Sequence, residues 1–500
     1  MPAKRILIVS DSLGTPIHAR GIFNFTCSLV QILKKLGHHV TLLVEPPDAG
    51  LIPQLTQKQL DKTTAFGTKR GVLSDIFRHF EGERFRFDWD YRDADFQRLL
   101  VDHPNTANFR LLLEDTKNTQ KQIYVDIPHD ELTELAPGQY SEHLQLFDGL
   151  LTYSHVYSES FRRGFQNLRP VAINAETFDF VIIDTPHYNQ FSGISPSNII
   201  YVVHDFIPLY VENYWFYGRR LFARKLECTV SVARKAIFNS ETTAKDFNRI
   251  FGSTVLEKSV VVYPPIREEV TRAALNADRR LPSNYIKDIQ DNKNNEQIEW
   301  AERIRERMPE DQKAGLSKLT GLTKLNLPKW EPNLPFFCSI LSDEPRKNIA
   351  AIVEASKSFV GKANFVLMGQ INGNLYMQER PENFPNLHFT GYVSDVQKFD
   401  LLRSCKAFIF PSLREGFGIP IVEAALFGAP IICTDAAVFR EITFNKAAYF
   451  DPRDPQSLVN LVQQALTDKR LAAQGLELRS LLSSSFNQDI MAKRVASILS

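Results

Sequence analysis

A chain of 500 residues is long enough for two domains, each with its own hydrophobic core. Its 43% hydrophobic and 23% charged residues are ordinary for a soluble globular protein, and no apolar run reaches the ~18 residues that argue for a membrane span. Basic and acidic residues nearly cancel, 59 against 58 for a net charge of +1, so no polyanion such as nucleic acid is expected as a partner. The five cysteines are scattered in no metal or disulfide pattern and read as small buried residues of a reducing, cytoplasmic compartment.

In chain order, a strand at Lys4 to Val9, an amphipathic helix from Gly21 to Leu36 ended by Gly37, and a strand at His39 to Val44 form a βαβ unit. It lacks G-x-G-x-x-G, which argues against a dinucleotide site, although its long first turn opens where α/β sheets bind ligands. From Pro46 to about Leu100 the texture is polar and charged. Asp88 and Asp90 make a D-x-D there, but in a charged insertion rather than after an apolar strand, so it reads as solvated surface and no metal site is expected.

Further strands are expected at Gln122 to Ile127, Gly149 to Tyr153 and Phe178 to Ile183. The last runs into DTPHY, where His187 reads equally well as facing a ligand or as an ordinary loop histidine. The buried run Asn198 to Val203 ends directly in His204-Asp205-Phe206-Ile207-Pro208-Leu209, placing a histidine and an aspartate on the ligand-facing rim. A helix from about Glu212 to Arg234 carries Arg219, Arg220, Arg224 and Lys225 beside Trp215, Phe216 and Tyr217. A solvated helix covering the sheet is the favoured reading, with contact to anionic lipid as the alternative. Ala236 to Asn239 and Val260 to Tyr263 are strands around a helix capped by Ser240, and Pro264-Pro265 is hinge chemistry. The polar, helix-prone stretch from 267 to about 332 reads as an inserted excursion.

The second domain opens with a strand at Phe336 to Leu341, followed by a helix that Arg346, Lys347 and Asn348 begin. Lone cations at a helix amino end oppose the dipole, so a nearby anion would explain them. Strands follow at Phe365 to Gly369 and Leu387 to Gly391, and Tyr392-Val393-Ser394-Asp395 caps the next helix. Lys406 to Asp435 then reads as strand, loop, helix, strand. Ala407 to Phe410 is apolar, Ser412 to Gly418 is a polar loop, Pro420 suits a first helical turn, Gly428 ends the helix, and Ile431 to Cys433 is buried. Such a loop favours an anion through free N–H groups and the helix dipole. Glu415 and Glu423 could be a glycosidase pair, but eight residues of helical rise span roughly 12 Å against the ~5–9.5 Å such enzymes use. A clamp fits better: hydroxyls on Glu415, phosphate on glycine amides, and further hydroxyls on Glu423, the order found in a nucleotide sugar. Ala447 to Phe450 and the helices from Gln456 onward, ending in one at Gln488 to Leu499, complete the chain.

E-G-F-G-I-P-I-V-E, after F-P-S and before A-x-x-x-G-x-P-I-I, resembles the E-x7-E signature of the retaining family-4 (group 1) glycosyltransferases of the GT-B fold. H-D-x-I-P-L likewise resembles a subgroup that transfers mannose or a related sugar in polysaccharide assembly. The resemblance implies two Rossmann-like, doubly wound α/β domains facing a cleft. The acceptor domain would be 1–264 with a crossover helix at 486–500, the hinge and insertion 265–334, and the donor domain 335–485. It implies that Glu415 binds the transferred sugar, Glu423 the ribose, and Arg346 and Lys347 the diphosphate, with Val393 near the base. Gly369, Gly416, Phe417, Gly418 and Ile419 would complete the donor side, and Arg20, Gly21, Asp205 and His187 the acceptor side. His204 would hold the sugar from across the cleft.

The implied reaction is retaining, front-face transfer of a hexose from a nucleotide-diphosphate sugar such as GDP-mannose, with neither cofactor nor metal, because the two cations stabilise the leaving group. The acceptor would be a glycan, a lipid-linked sugar or a small molecule. The location would be cytoplasmic, with peripheral contact to the inner face of a membrane left open. A sugar phosphorylase or disaccharide-phosphate synthase of the same architecture, and a non-catalytic glycan-binding or scaffold member, are the alternatives.

Overall fold

The computed structural model describes residues 2–10, 21–44, 122–126, 145–153, 156–157, 160, 163–164, 168–210, 216–266, 268–275, 285–286, 288–289, 330–342, 344–369, 384–391, 393–486 and 488–500. Arg20, Asp88, Asp90, Trp215 and Tyr392, and the side chains of Phe216, Tyr217 and Arg220, lie outside the described residues. The chain divides into two compact units, Met1–Pro265 with Gln488–Ser500, and Ile266–Asn487.

The first unit runs β1 (Arg5–Val9), α1 (Gly21–Lys35), β2 (His39–Val44), β3 (Gln122–Asp126), β4 (Gly149–Tyr153), β5 (Val171–Asn174), β6 (Phe180–Ile183), β7 (Asn189–Ser192), β8 (Ile199–Val203), α2 (Ile207–Tyr210), α3 (Phe216–Val232), β9 (Lys235–Phe238), α4 (Glu241–Phe251) and β10 (Lys258–Val261). Its main sheet has the order β10-β9-β8-β6-β1-β2-β4-β3. Every pairing is parallel except β3 with β4. β6, β8 and β9 are buried along their whole length, as unbroken apolar runs must be when helices cover both faces. The sheet grows in one direction from β1 through β2 and in the other through β6, so its direction of winding reverses between β1 and β6.

The helix expected from about Glu212 is described from Phe216, and a separate one-turn α2 precedes it. β5 and β7 form a two-stranded parallel pair apart from the main sheet, which the sequence reading missed because β7 (NQFS) is short and polar. α1 ends as expected at Gly37, whose φ of +81° needs glycine. There His38 N–H donates to Leu33 O at 3.1 Å and Gly37 N–H to Lys34 O at 2.9 Å, which satisfies carbonyls the helix leaves open.

The second unit comprises α5 (Glu268–Leu275), β11 (Phe336–Ile340), α6 (Ile349–Lys357), β12 (Asn364–Met368), β13 (Leu387–Gly391), α7 (Asp395–Ser404), β14 (Ala407–Phe410), α8 (Ile419–Leu426), β15 (Ile431–Thr434), α9 (Ala437–Ile442), β16 (Ala448–Phe450), α10 (Pro455–Thr467) and α11 (Arg470–Ser485). Its sheet order is β13-β12-β11-β14-β15-β16, parallel throughout. Counted within the unit this is 3-2-1-4-5-6, the doubly wound order, and the reversal falls between β11 and β14. The start of the polar excursion is tied into this unit. Arg403 and Arg479 donate to the carbonyls of Ala273 and Ala274 at 2.7 and 2.6 Å, and Tyr285 donates to Asp400 at 2.9 Å.

The last helix, α12 (Gln488–Ile498), returns to the first unit. Met491, Ala492, Val495 and Ile498 join the apolar cluster of Ile6, Ile8 and Leu29. Lys235 Nζ donates to Ile498 O at 3.0 Å and Arg494 to Val261 O at 2.7 Å.

Candidate functional site

The winding reversal of the second sheet brings together the loops that leave β11 and β14. Arg346 and Lys347 sit in a single 3-10 turn, Pro345–Lys347. Asn348, left-handed at φ 50°, separates that turn from α6. The cations therefore precede the helix rather than open it, and they are not lone. Arg346 Nη1 donates to Glu415 Oε2 at 2.8 Å, Lys347 Nζ to Glu415 Oε1 at 2.6 Å, and Arg346 Nε to Glu344 Oε2 at 2.7 Å. The buried Ser412 hydroxyl donates to Glu415 Oε1 at 2.6 Å. Leu413 N–H donates to Arg346 O at 2.7 Å and Arg346 Nη1 to Arg414 O at 3.1 Å, so backbone as well as side chains fix the two loops together.

The Glu415 side chain is only 13% exposed, and burial alone would raise its pKa. Lys347 and Arg346 outweigh that effect and hold the carboxyl below its usual range. Burial likewise opposes the charge on Arg346, but Glu415 and Glu344 more than offset it and raise its pKa. A glycosidase's general acid needs its pKa pushed upward, so the environment of Glu415 does not suit it to that one role.

The β14 loop enters α8 through Gly418, the N-cap, at φ +113°. Pro420 occupies the first turn, where its missing N–H costs nothing. Ile419 begins the helix and Gly416 is buried in the loop. Phe417 is 5% exposed and its ring packs on Phe486 with centroids 5.7 Å apart, which anchors the loop. Glu423 lies one turn into α8 and its Oε2 accepts from Lys398 Nζ at 3.0 Å. Lys398 also pairs with Asp395 at 3.1 Å. The half-buried Val393 precedes Ser394, which caps α7 in a reciprocal box with Gln397. Gly369 has a backbone reason to be glycine, since at φ +112° a Cβ would stand 2.1 Å from Leu341 O.

In the first unit, the reversal between β1 and β6 gathers a second group. Asp184 follows β6 and is 1% exposed. Ser10, after β1, and Thr26, on α1, donate to its Oδ2 at 2.7 Å each. His204, at the end of β8, meets its Oδ1 through Nε2 at 2.8 Å. The other acceptor-side expectations separate from this group. Asp205 Oδ1 accepts from Ile207 N–H at 2.9 Å, an Asx turn that opens α2. His187 is 2% exposed, its backbone N–H donates to Thr229 Oγ1 at 3.0 Å, its Nε2 lies 3.0 Å from Thr185 Oγ1, and its ring packs on Tyr157. Gly21 is the exposed first residue of α1. Sequence reasoning missed Asp184, Ser10, Thr26, Ser412, Lys398 and Glu344. Only Asp184 carried a signal, an aspartate immediately after an apolar strand.

Residues 327–477 match the family described as Glycosyl transferases group 1. The chain is 31% identical over 148 residues to the serotype-specific mannosyltransferase WbdA of Escherichia coli, covering 27% of this chain and 18% of that protein. It is 28% identical over 133 residues to O-antigen chain mannosyltransferase B of Escherichia coli, covering 25% and 35%. Among solved structures, Anabaena Alr3699/HepE in complex with UDP superposes with a TM-score of 0.52 at 13% identity, covering 99% of both chains. A sucrose-phosphate synthase from Thermosynechococcus elongatus gives 0.50 at 12% identity, covering 99% of this chain and 98% of that one. No helix among the described residues is long and apolar enough to cross a membrane. The chain thus has the α/β GT-B fold, and its second unit carries a glycosyl transferases group 1 domain.

Proposed function

We propose that the chain is a retaining hexosyltransferase, with mannose the hexose, that uses a nucleotide-diphosphate sugar and requires no metal. One observation supports this most: Arg346, Lys347, Ser412 and Glu415 converge where the second sheet reverses its winding, beside the amino end of α8. Open α/β sheets bind ligands at that place, and the amino end of a helix favours phosphate. As the glycosidic bond breaks, charge collects on the departing diphosphate, and preorganised Arg346 and Lys347 lower the barrier to its departure.

Glu415 keeps its charge among three donors and offers its remaining acceptor capacity to a sugar hydroxyl. Glu423, oriented by Lys398, takes the ribose. The leaving phosphate accepts the acceptor's proton, which gives front-face substitution with retention. His204 serves carbohydrate hydroxyls from the first unit. The mannosyltransferase relatives support mannose, and a glycan or lipid-linked acceptor follows from the same likeness. The HepE complex with UDP shows the fold holding a nucleotide in that protein.

The test is to incubate the chain with GDP-, UDP-, ADP- and dTDP-sugars in EDTA and follow nucleoside diphosphate release. Anomeric configuration of the product is read by NMR. Release from GDP-mannose with an α-linked product is expected, and catalysis abolished by EDTA would overturn the metal-independent reading. A sugar phosphate offered as acceptor is the second arm, because the synthase alternative shares the fold.

A further inference from the structure

Removing a carboxylate from water is costly unless hydrogen-bond donors replace the solvent. Asp184 meets that demand with the Ser10 and Thr26 hydroxyls on Oδ2 and the His204 ring on Oδ1. A carboxylate only accepts, so the hydrogen in the 2.8 Å contact belongs to His204 Nε2. The histidine is held from two further sides. Its ring meets Phe25 edge-on at 5.2 Å, and its carbonyl accepts from Asn239 Nδ2 at 2.7 Å. Phe25 and Thr26 are neighbours on α1, so one helix both packs the ring and supplies a donor to its carboxylate. His204 Nδ1 has no hydrogen-bond partner among the described residues.

We infer that Asp184 is a positioning residue that locks His204 as the Nε2–H tautomer, so that Nδ1 presents a lone pair at the rim of the first unit and accepts a hydroxyl hydrogen from a carbohydrate. A ring free to exchange tautomers would greet a hydroxyl, a carbonyl or an ether oxygen alike. Fixed in this way it selects a hydroxyl and rejects a deoxy or O-methyl sugar at the same position, because the pairing atom is then lost or blocked. The carbohydrate as ligand rests on the proposed function; the tautomer does not.

The experiment uses the full chain labelled with 15N-histidine at about pH 8.5, above the ordinary imidazole range, with the His204 signals assigned by His204→Gln. Long-range 1H–15N correlations are expected to show Nε2 protonated and Nδ1 unprotonated. Asp184→Asn, whose amide can donate as well as accept, is expected to give a mixture of tautomers or the Nδ1–H form. An Nδ1–H tautomer in the unmutated protein overturns the inference even if Asp184→Asn fails to fold. A single unchanged Nε2–H tautomer in a folded Asp184→Asn variant overturns it as well. Nucleotide-sugar turnover measured on the same samples separates the two ideas. The expected tautomer without turnover overturns the hydroxyl-binding consequence together with the proposed function, whereas the wrong tautomer in an active protein overturns the inference alone.

Discussion

Lys347 and Glu415, 68 residues apart in the chain, meet at 2.6 Å because their strands, β11 and β14, are neighbours at the winding reversal of the second sheet. The pair is mostly buried and reinforced by Arg346 and Ser412, which distinguishes it from the solvent-exposed ion pairs that contribute little. Lys347→Ala is expected to lower nucleoside diphosphate release by about 10²–10³-fold, the effect of removing one charge-stabilising donor from a preorganised site. The second sheet is expected to stay folded, since Arg346 still compensates Glu415. Release rates and thermal melting of the variant check this, and an unchanged rate would remove Lys347 from the mechanism.

His388 lies in β13 with no exposed surface, beside Asn364 Oδ1 at 3.2 Å and the Trp330 ring. Burial pushes its imidazole down to about 4 from the usual 6.5. The unfolded chain therefore binds a proton between those values that the folded chain refuses. The stability at stake is fully present above pH 6.5 and is lost as pH falls toward 4, by about 3 kcal/mol at ~1.4 kcal/mol per pK unit. Urea denaturation of His388→Gln across this range should show a shallower acid limb than the parent. Parallel limbs would contradict the assignment.

Gly369→Ala should unfold the second unit more readily by at least ~2 kcal/mol, through left-handed backbone strain and the collision with Leu341 O. Gly361 supplies the comparison. Its φ of +69° imposes similar strain, but nothing stands within 4 Å of the place a Cβ would take there, so Gly361→Ala should cost only ~1 kcal/mol. Equal losses in the two variants, measured by chemical denaturation, would show that the close approach to Leu341 does not matter.

A chain ending at residue 487 loses Met491, Val495 and Ile498 from the first unit's core, each 0% exposed. At roughly 1.5–3 kcal/mol for each buried side chain, the sum is comparable with the whole stability of a typical domain. Limited proteolysis of this truncation should cut the first unit rapidly and leave residues within 330–486 protected. Equal protection of both units would refute the structural role of α12.

Much of the second unit was legible because its signals are local. The apolar run Ala407 to Phe410, Pro420 in a first helical turn and Gly428 at φ +80° fixed a strand, a loop and a helix within a few residues of one another. The partners of Arg346 and Lys347 were not local. A sequence shows two cations at a helix entry, but only strand order shows that a carboxylate 69 residues further on neutralises them. Asp184 was less visible still, because its two hydroxyl donors lie 174 and 158 residues away and one of them, Thr26, sits on a helix that reads simply as amphipathic. The settings of Phe417 and Asp205 were hidden for another reason. Each lies beside a motif residue, yet one faces an aromatic partner and the other caps a turn.

The seating of α12 among Ile6, Ile8 and Leu29 also reverses the order in which the two halves are completed during translation. Domains generally close as they leave the ribosome, amino-terminal first. Here the half synthesised first keeps an open seam until residues 488–500 have been read, by which time residues 266–487 are already in hand. Until then the first half lacks the apolar cover that Met491 and Val495 give Ile6, Ile8 and Leu29.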